Sequence, residues 1–229
     1  MEVITPTREH AAKVLAIVDQ GLSEGLGIAE PGKMCVEAAV CFALGLPHSD
    51  DPKCVGSAVR AYKISLNDTC GLEPLDRAKL LRRLAIAQLG SNTIEQAKFS
   101  RLLAEKTTCR IVPIALRAAA SVHPDQQHKD ALESAAVRCE SEGSQDAAYA
   151  ADADTAASVA VYAAASAAAR ATARAAASAA ASAAYAADAA RDAGDAGARK
   201  QIFQIAADIG VESLQECGSP GCEWLDLCD

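Results

Sequence analysis

Between Gly143 and Gly194 the chain has neither glycine nor proline, and 28 of the 44 residues from Ala147 to Ala190 are alanine. Alanine is the strongest helix former, because it loses no side-chain entropy and carries no polar group to divert the backbone. The flanking glycines are stop signals, so the stretch from Asp146 to Ala193 reads as helix. Unbroken over those 44 residues it would be about 66 Å long. A compact chain of this size is about 45 Å across. The helix must therefore protrude, kink or break. The break is expected at Ala151-Asp152-Ala153-Asp154-Thr155, where Asp154 can N-cap a second helix.

Within the tract, Ser158, Tyr162, Ser166, Arg170, Arg174, Ser178 and Ser182 recur at every fourth position. Each step advances about 40° around a helix, so this polar line winds instead of holding one face. The methyl-sized residues between them allow other backbones to approach closely. That pattern suits a central helix gripped by its neighbours, or one that pairs with a copy of itself, and it predicts a homo-oligomer. A sharper reading lets Tyr162, Arg170 and Arg174 project into an anion-binding cleft.

The rest of the chain is punctuated by helix signals. Thr5-Pro6 reads as an N-cap with proline at the first helical position, followed by the stripe Val14, Leu15, Val18 and Leu22. A short buried helix is predicted from Met34 to Leu44 with Gly45 as its stop, and Asp51-Pro52 is expected to open the next. Asp76 to Leu89 is amphipathic, with Leu80, Leu81, Leu84 and Ile86 inward and Arg82 and Arg83 outward. Asn92-Thr93-Ile94-Glu95 has capping-box spacing and leads a helix to about Lys106. Pro113 opens Ile114 to Ala120, His123-Pro124-Asp125 opens a helix through about Cys139, and Arg199 to Glu216 forms the last. No run alternates apolar and polar residues. The fold class is all-α, a bundle of about eight helices around the alanine-rich one. Residues 1–143 form a helical domain, and 144–229 the alanine-rich helix with the C-terminal helix and tail, packed as one unit with the first.

Charge and composition narrow the function. A formal net charge of −8 and a pI near 5.1 argue against a nucleic-acid binder, which needs a basic surface. Aromatics make up 3% of residues, too few for base-stacking platforms. Asp152, Asp154, Arg170, Arg174 and Asp188 interrupt the alanine tract too often for a membrane span. The start, Met1-Glu2-Val3-Ile4-Thr5-Pro6, lacks the basic-then-apolar pattern of a secretory signal. Nine cysteines, several at helix-interior positions such as Cys41, Cys109 and Cys139, fit reduced thiols in a cytoplasmic setting.

One segment suggests chemistry. In Gly32-Lys33-Met34-Cys35-Val36-Glu37 a cysteine sits at a helix start, where free backbone N–H groups and the helix dipole stabilise a thiolate. His48, with Asp50 or Asp51, can supply a base and its orienter, which gives a cysteine-hydrolase reading. The plainer reading makes Cys35 and Cys41 small apolar core groups. Cys217, Cys222 and Cys228 are separated by four and five residues and His123 lies five from His128, neither a zinc spacing. No phosphate-loop or dinucleotide fingerprint occurs, and no cofactor is expected. The cations able to grip an anion are Arg60 and Lys63, Arg82 and Arg83, and Arg170 with Arg174.

The block Gly32-Lys33-Met34-Cys35-Val36-Glu37-Ala38-Ala39, with Ala43-Leu44-Gly45-Leu46-Pro47-His48, resembles one that recurs in phage and prophage proteins without an assigned activity. Ile111-Val112-Pro113-Ile114-Ala115-Leu116-Arg117-Ala118-Ala119-Ala120, the alanine-rich stretch and the ending Ser219-Pro220-Gly221-Cys222-Glu223-Trp224-Leu225 extend the likeness. The resemblance implies a phage context and a bacterial host cytoplasm. In that context the leading expectation is a non-enzymatic protein that sequesters a small anionic, nucleotide-derived immune signal. The rivals are the Cys35 hydrolase and a structural protein–protein interaction module.

Overall fold

The computed structural model describes residues 5–142 and 196–229. The alanine-rich tract lies outside the described residues, and with it the continuity of its helix, the break at Asp154, the boundary at 143/144 and the side chains of Tyr162, Arg170 and Arg174. The described residues are all-α, with eight α-helices, two 3-10 segments and no strand. The helices are α1 (Arg8–Val18), α2 (Val36–Ala43), α3 (Ser57–Thr69), α4 (Pro74–Ala87), α5 (Gln96–Arg110), α6 (Val112–Val122), α7 (Gln126–Glu142) and α8 (Ala196–Glu216). A lone bridge joins Gly27 to Met34. No helix of the described residues is long and apolar enough to cross a membrane.

The chain divides into two compact units, Met1–Phe99 with Gly210–Asp229, and Ser100–Ile209. In the first, α1 packs on α2 and α4, and α4 carries the C-terminal 3-10 segment Pro220–Cys228 on its flank. The inward leucines of α4 behave as their spacing requires. Leu81, Leu84 and Ile86 are fully buried, each removing enough apolar surface from water to contribute about 1.5–3 kcal/mol. The last turns of α8 come close to α3 and α4 at Gly210, where a Cβ would lie 2.8 Å from Tyr62 Cε1 and 3.0 Å from Leu84 Cδ1. The tail is tied down by polar contacts as well. Ser219 Oγ donates to the Ala87 carbonyl at 2.6 Å, and the Gly221 N–H donates to Leu89 at 2.8 Å.

Several helix starts differ from the sequence expectation, each for a local reason. The first N-cap is Thr7, not Thr5: its hydroxyl accepts from the His10 N–H while His10 Nδ1 accepts from the Thr7 N–H, both at 3.3 Å. Asp51-Pro52 does not open α3, which begins at Ser57. Its free N–H groups are satisfied from a distance, Gly56 by Ser91 Oγ at 3.1 Å and Ala58 by Gln96 Oε1 at 3.2 Å. Asn92 to Glu95 is no capping box. Ser91–Thr93 is a 3-10 turn, and α5 begins only at Gln96.

The second unit contains an antiparallel pair, α6 and α7, joined by His123-Pro124-Asp125. Val112, Leu116, Leu132, Ala135, Ala136 and Cys139 bury their side chains together between them. Arg117 links the two helices from outside, its Nε 2.9 Å from Glu133 and its second guanidinium nitrogen 3.0 Å from Glu140. These groups are about half exposed, where water and salt screen the attraction. Arg117→Met is expected to lower stability by less than about 1 kcal/mol in urea unfolding.

Candidate functional site

The short helix α2 is apolar throughout except for Glu37, and Glu37 is fully buried. Its countercharge comes from α3. Lys63, also fully buried, places Nζ 3.0 Å from Glu37 Oε1. The contact is charge-assisted, and it leaves Glu37 Oε2 without a partner among the described residues. Burial raises the carboxyl pKa and lowers that of the ammonium, and their mutual attraction opposes both shifts.

Beside this pair lies a partly enclosed crevice of about 30 Å³, lined by the 25–26 turn, Cys35, Val36, Glu37, Asp50, Ile64, Asn67 and Asp68. The turn is pinned to α3, because the Gly25 N–H donates to Asp68 Oδ1 at 2.9 Å. The Asn67 amide group donates to the same oxygen at 2.7 Å and to the Ser23 carbonyl at 2.9 Å. Asn67 Oδ1 has no partner among the described residues. Cys35 is the N-cap of α2, its Sγ accepting from the Ala38 N–H at 3.4 Å.

Sequence reasoning placed Cys35 at a helix start, and it is there. Its thiol is not activated, however. Burial pushes its pKa up, and the Ala38 N–H only partly opposes this. Cys41, deeper in the same helix, is pushed up to about 12 by burial and the Glu37 charge. His48 turns its Nε2 to the Gly27 carbonyl at 3.1 Å, and Asp50 lines the crevice. None of the nine cysteines is in a disulfide. Among the described residues no group of three His, Cys, Asp or Glu side chains is placed to hold a metal.

Each of the expected anion donors of α3 and α4 meets a carboxylate of the chain. Arg60 pairs with Asp51, Lys63 with Glu37, Arg82 with Asp19 at 2.8 Å, and Arg83 with Asp229 at 3.3 Å. Arg82 also donates to the Cys228 carbonyl. Sequence reasoning missed Glu37 and Asn67 as site residues. The available signal was a single charge inside an otherwise apolar helix, which must find a partner or be neutralised. No protein-family model, no curated protein and no solved structure matches the chain.

Proposed function

We propose that the protein is a non-enzymatic binding protein whose described recognition site is the crevice at the start of α2. The observation that carries this reading is the pairing of unmet buried acceptors, on Glu37 and Asn67, with a neighbouring thiol that burial keeps protonated. Unmet acceptors suit ligand recognition, whereas a hydrolase needs a thiolate. Alkylation under native conditions tests it. Cys35, at 4% exposure, is expected to react more slowly than the half-buried Cys217. Its rate should keep rising with pH after ordinary thiols have levelled off, because its pKa is raised. Rapid, selective labelling of Cys35 would return the hydrolase reading.

The finer reading is sequestration of a small anionic, nucleotide-derived immune signal by a phage counter-defence protein, working as a homo-oligomer in the bacterial cytoplasm. With Arg60, Lys63, Arg82 and Arg83 compensated internally, it rests on Tyr162, Arg170 and Arg174. Two arginines four residues apart on a helix repel one another and call for an anion. In calorimetric titration with cyclic dinucleotides, Arg170→Ala and Arg174→Ala are each expected to weaken binding about 10- to 150-fold, the equivalent of about 1.5–3 kcal/mol for hydrogen bonds to charged groups. A lower melting temperature with unchanged binding would assign these arginines to internal carboxylates such as Asp188 or Asp192.

A further inference from the structure

Two acceptors at one end of α2 have no partner among the described residues. They are Oε2 of Glu37 and the amide oxygen of Asn67, on side chains at 0% and 1% exposure. Both residues line the same crevice, together with the carboxylates of Asp50 and Asp68. Against these three carboxylates stand the ammonium of Lys63, approaching one oxygen of Glu37, and the more distant charge of Arg60. A carboxylate offers about four lone-pair sites, so Glu37 keeps unused acceptor capacity. Leaving it unused underground is costly, because a buried polar group without a partner forfeits the hydrogen bonds it had in water.

We propose that this crevice binds a primary ammonium group carried on an unbranched aliphatic chain. An ammonium has three donors and no acceptor, which matches the open acceptors of Glu37 and Asn67 on acid-rich walls. The volume of about 30 Å³ is enough for a group of about water size. A planar guanidinium or a trimethylated ammonium is larger. The apolar walls Leu26, Val36 and Ile64 suit methylenes, and Leu26 remains 41% exposed at the edge. Lysine-type stems bury in this way while their charged heads find polar partners. The inference rests on the reading of the crevice as a recognition site.

Calorimetric titration of the full chain with pentylamine tests it, with pentan-1-ol and trimethylpentylammonium as controls. Saturable binding of pentylamine is expected, at least ten-fold tighter than either control. Asp50→Asn, an exposed change that leaves the core alone, should weaken it several-fold, and the double variant Glu37→Gln/Lys63→Met should remove it. Equal binding of the alcohol or the trimethylated amine overturns the proposal. So does undiminished binding by both variants, or no binding of any amine, which would mean that water alone fills the crevice. Nα-acetyl-lysine methylamide separates two sources of the same group: tighter binding than pentylamine points to a lysine of a partner protein, weaker to a free amine, and both uphold the ammonium site. Alkylation of Cys35 in the same samples keeps the two readings apart. Slow labelling without amine binding removes only the ligand class, whereas fast labelling removes the recognition reading itself.

Discussion

Lys63→Met lowers the unfolding free energy by about 3–5 kcal/mol, the cost of leaving one member of a buried ion pair alone. Glu37 is fully buried, and its counterion is the Lys63 ammonium on the facing helix. The deficit reflects the stranded carboxylate more than the worth of the pair. Replacing both partners, as Glu37→Leu with Lys63→Met, is therefore expected to restore stability to within about 1 kcal/mol of the parent, or to exceed it. Urea unfolding of the single and double variants measures both. A single-variant loss below about 1 kcal/mol, the range of a surface pair, would show that the pair is not the buried element described.

Gly27→Ala is the second large effect, with an expected loss of about 2–4 kcal/mol. Gly27 has a φ of +68°, in the left-handed region that a side chain disfavours. A Cβ there would also run into the Lys33 carbonyl oxygen and Ser23 Oγ, and would lie 2.9 Å from Met34 Cα. That carbonyl already accepts from the Ile28 N–H at 2.8 Å, so it cannot easily move away. The same turn carries Gly25 and Leu26 to the crevice and presents the Leu26 carbonyl to the Cys35 N–H at 3.2 Å. Strain at Gly27 should therefore reach the crevice as well as the global stability. Gly25→Ala, also at positive φ but with no atom near its Cβ position, should cost less. An equal loss at both positions would assign the whole effect to backbone conformation.

Much of the fold was legible because its causes are local. The stop at Gly45, the spacing of Leu81, Leu84 and Ile86, and the place of Cys35 at a helix start each follow from a few neighbouring residues. The start of α3 was not legible, since Ser91 and Gln96 cap it from more than 30 residues away. The site was hidden for the same reason. Lys63 follows Arg60 by three residues and reads as one of two solvated cations. In the fold Lys63 is fully buried and Arg60 turns to Asp51. The partners of Arg82 and Arg83 come from Asp19 and the chain end at Asp229, a pairing that no helical periodicity encodes.

The central claim is that Glu37 is a buried carboxylate with acceptor capacity left for a ligand. Its side-chain carboxyl ¹³C resonance, followed by NMR while pentylamine is added, tests that claim most directly. The Glu37 signal should shift in a saturable way, and that of Asp226, an exposed carboxylate held by Arg8, should stay in place. A Glu37 signal that stays fixed across the titration, or one that moves no more than Asp226, would contradict it.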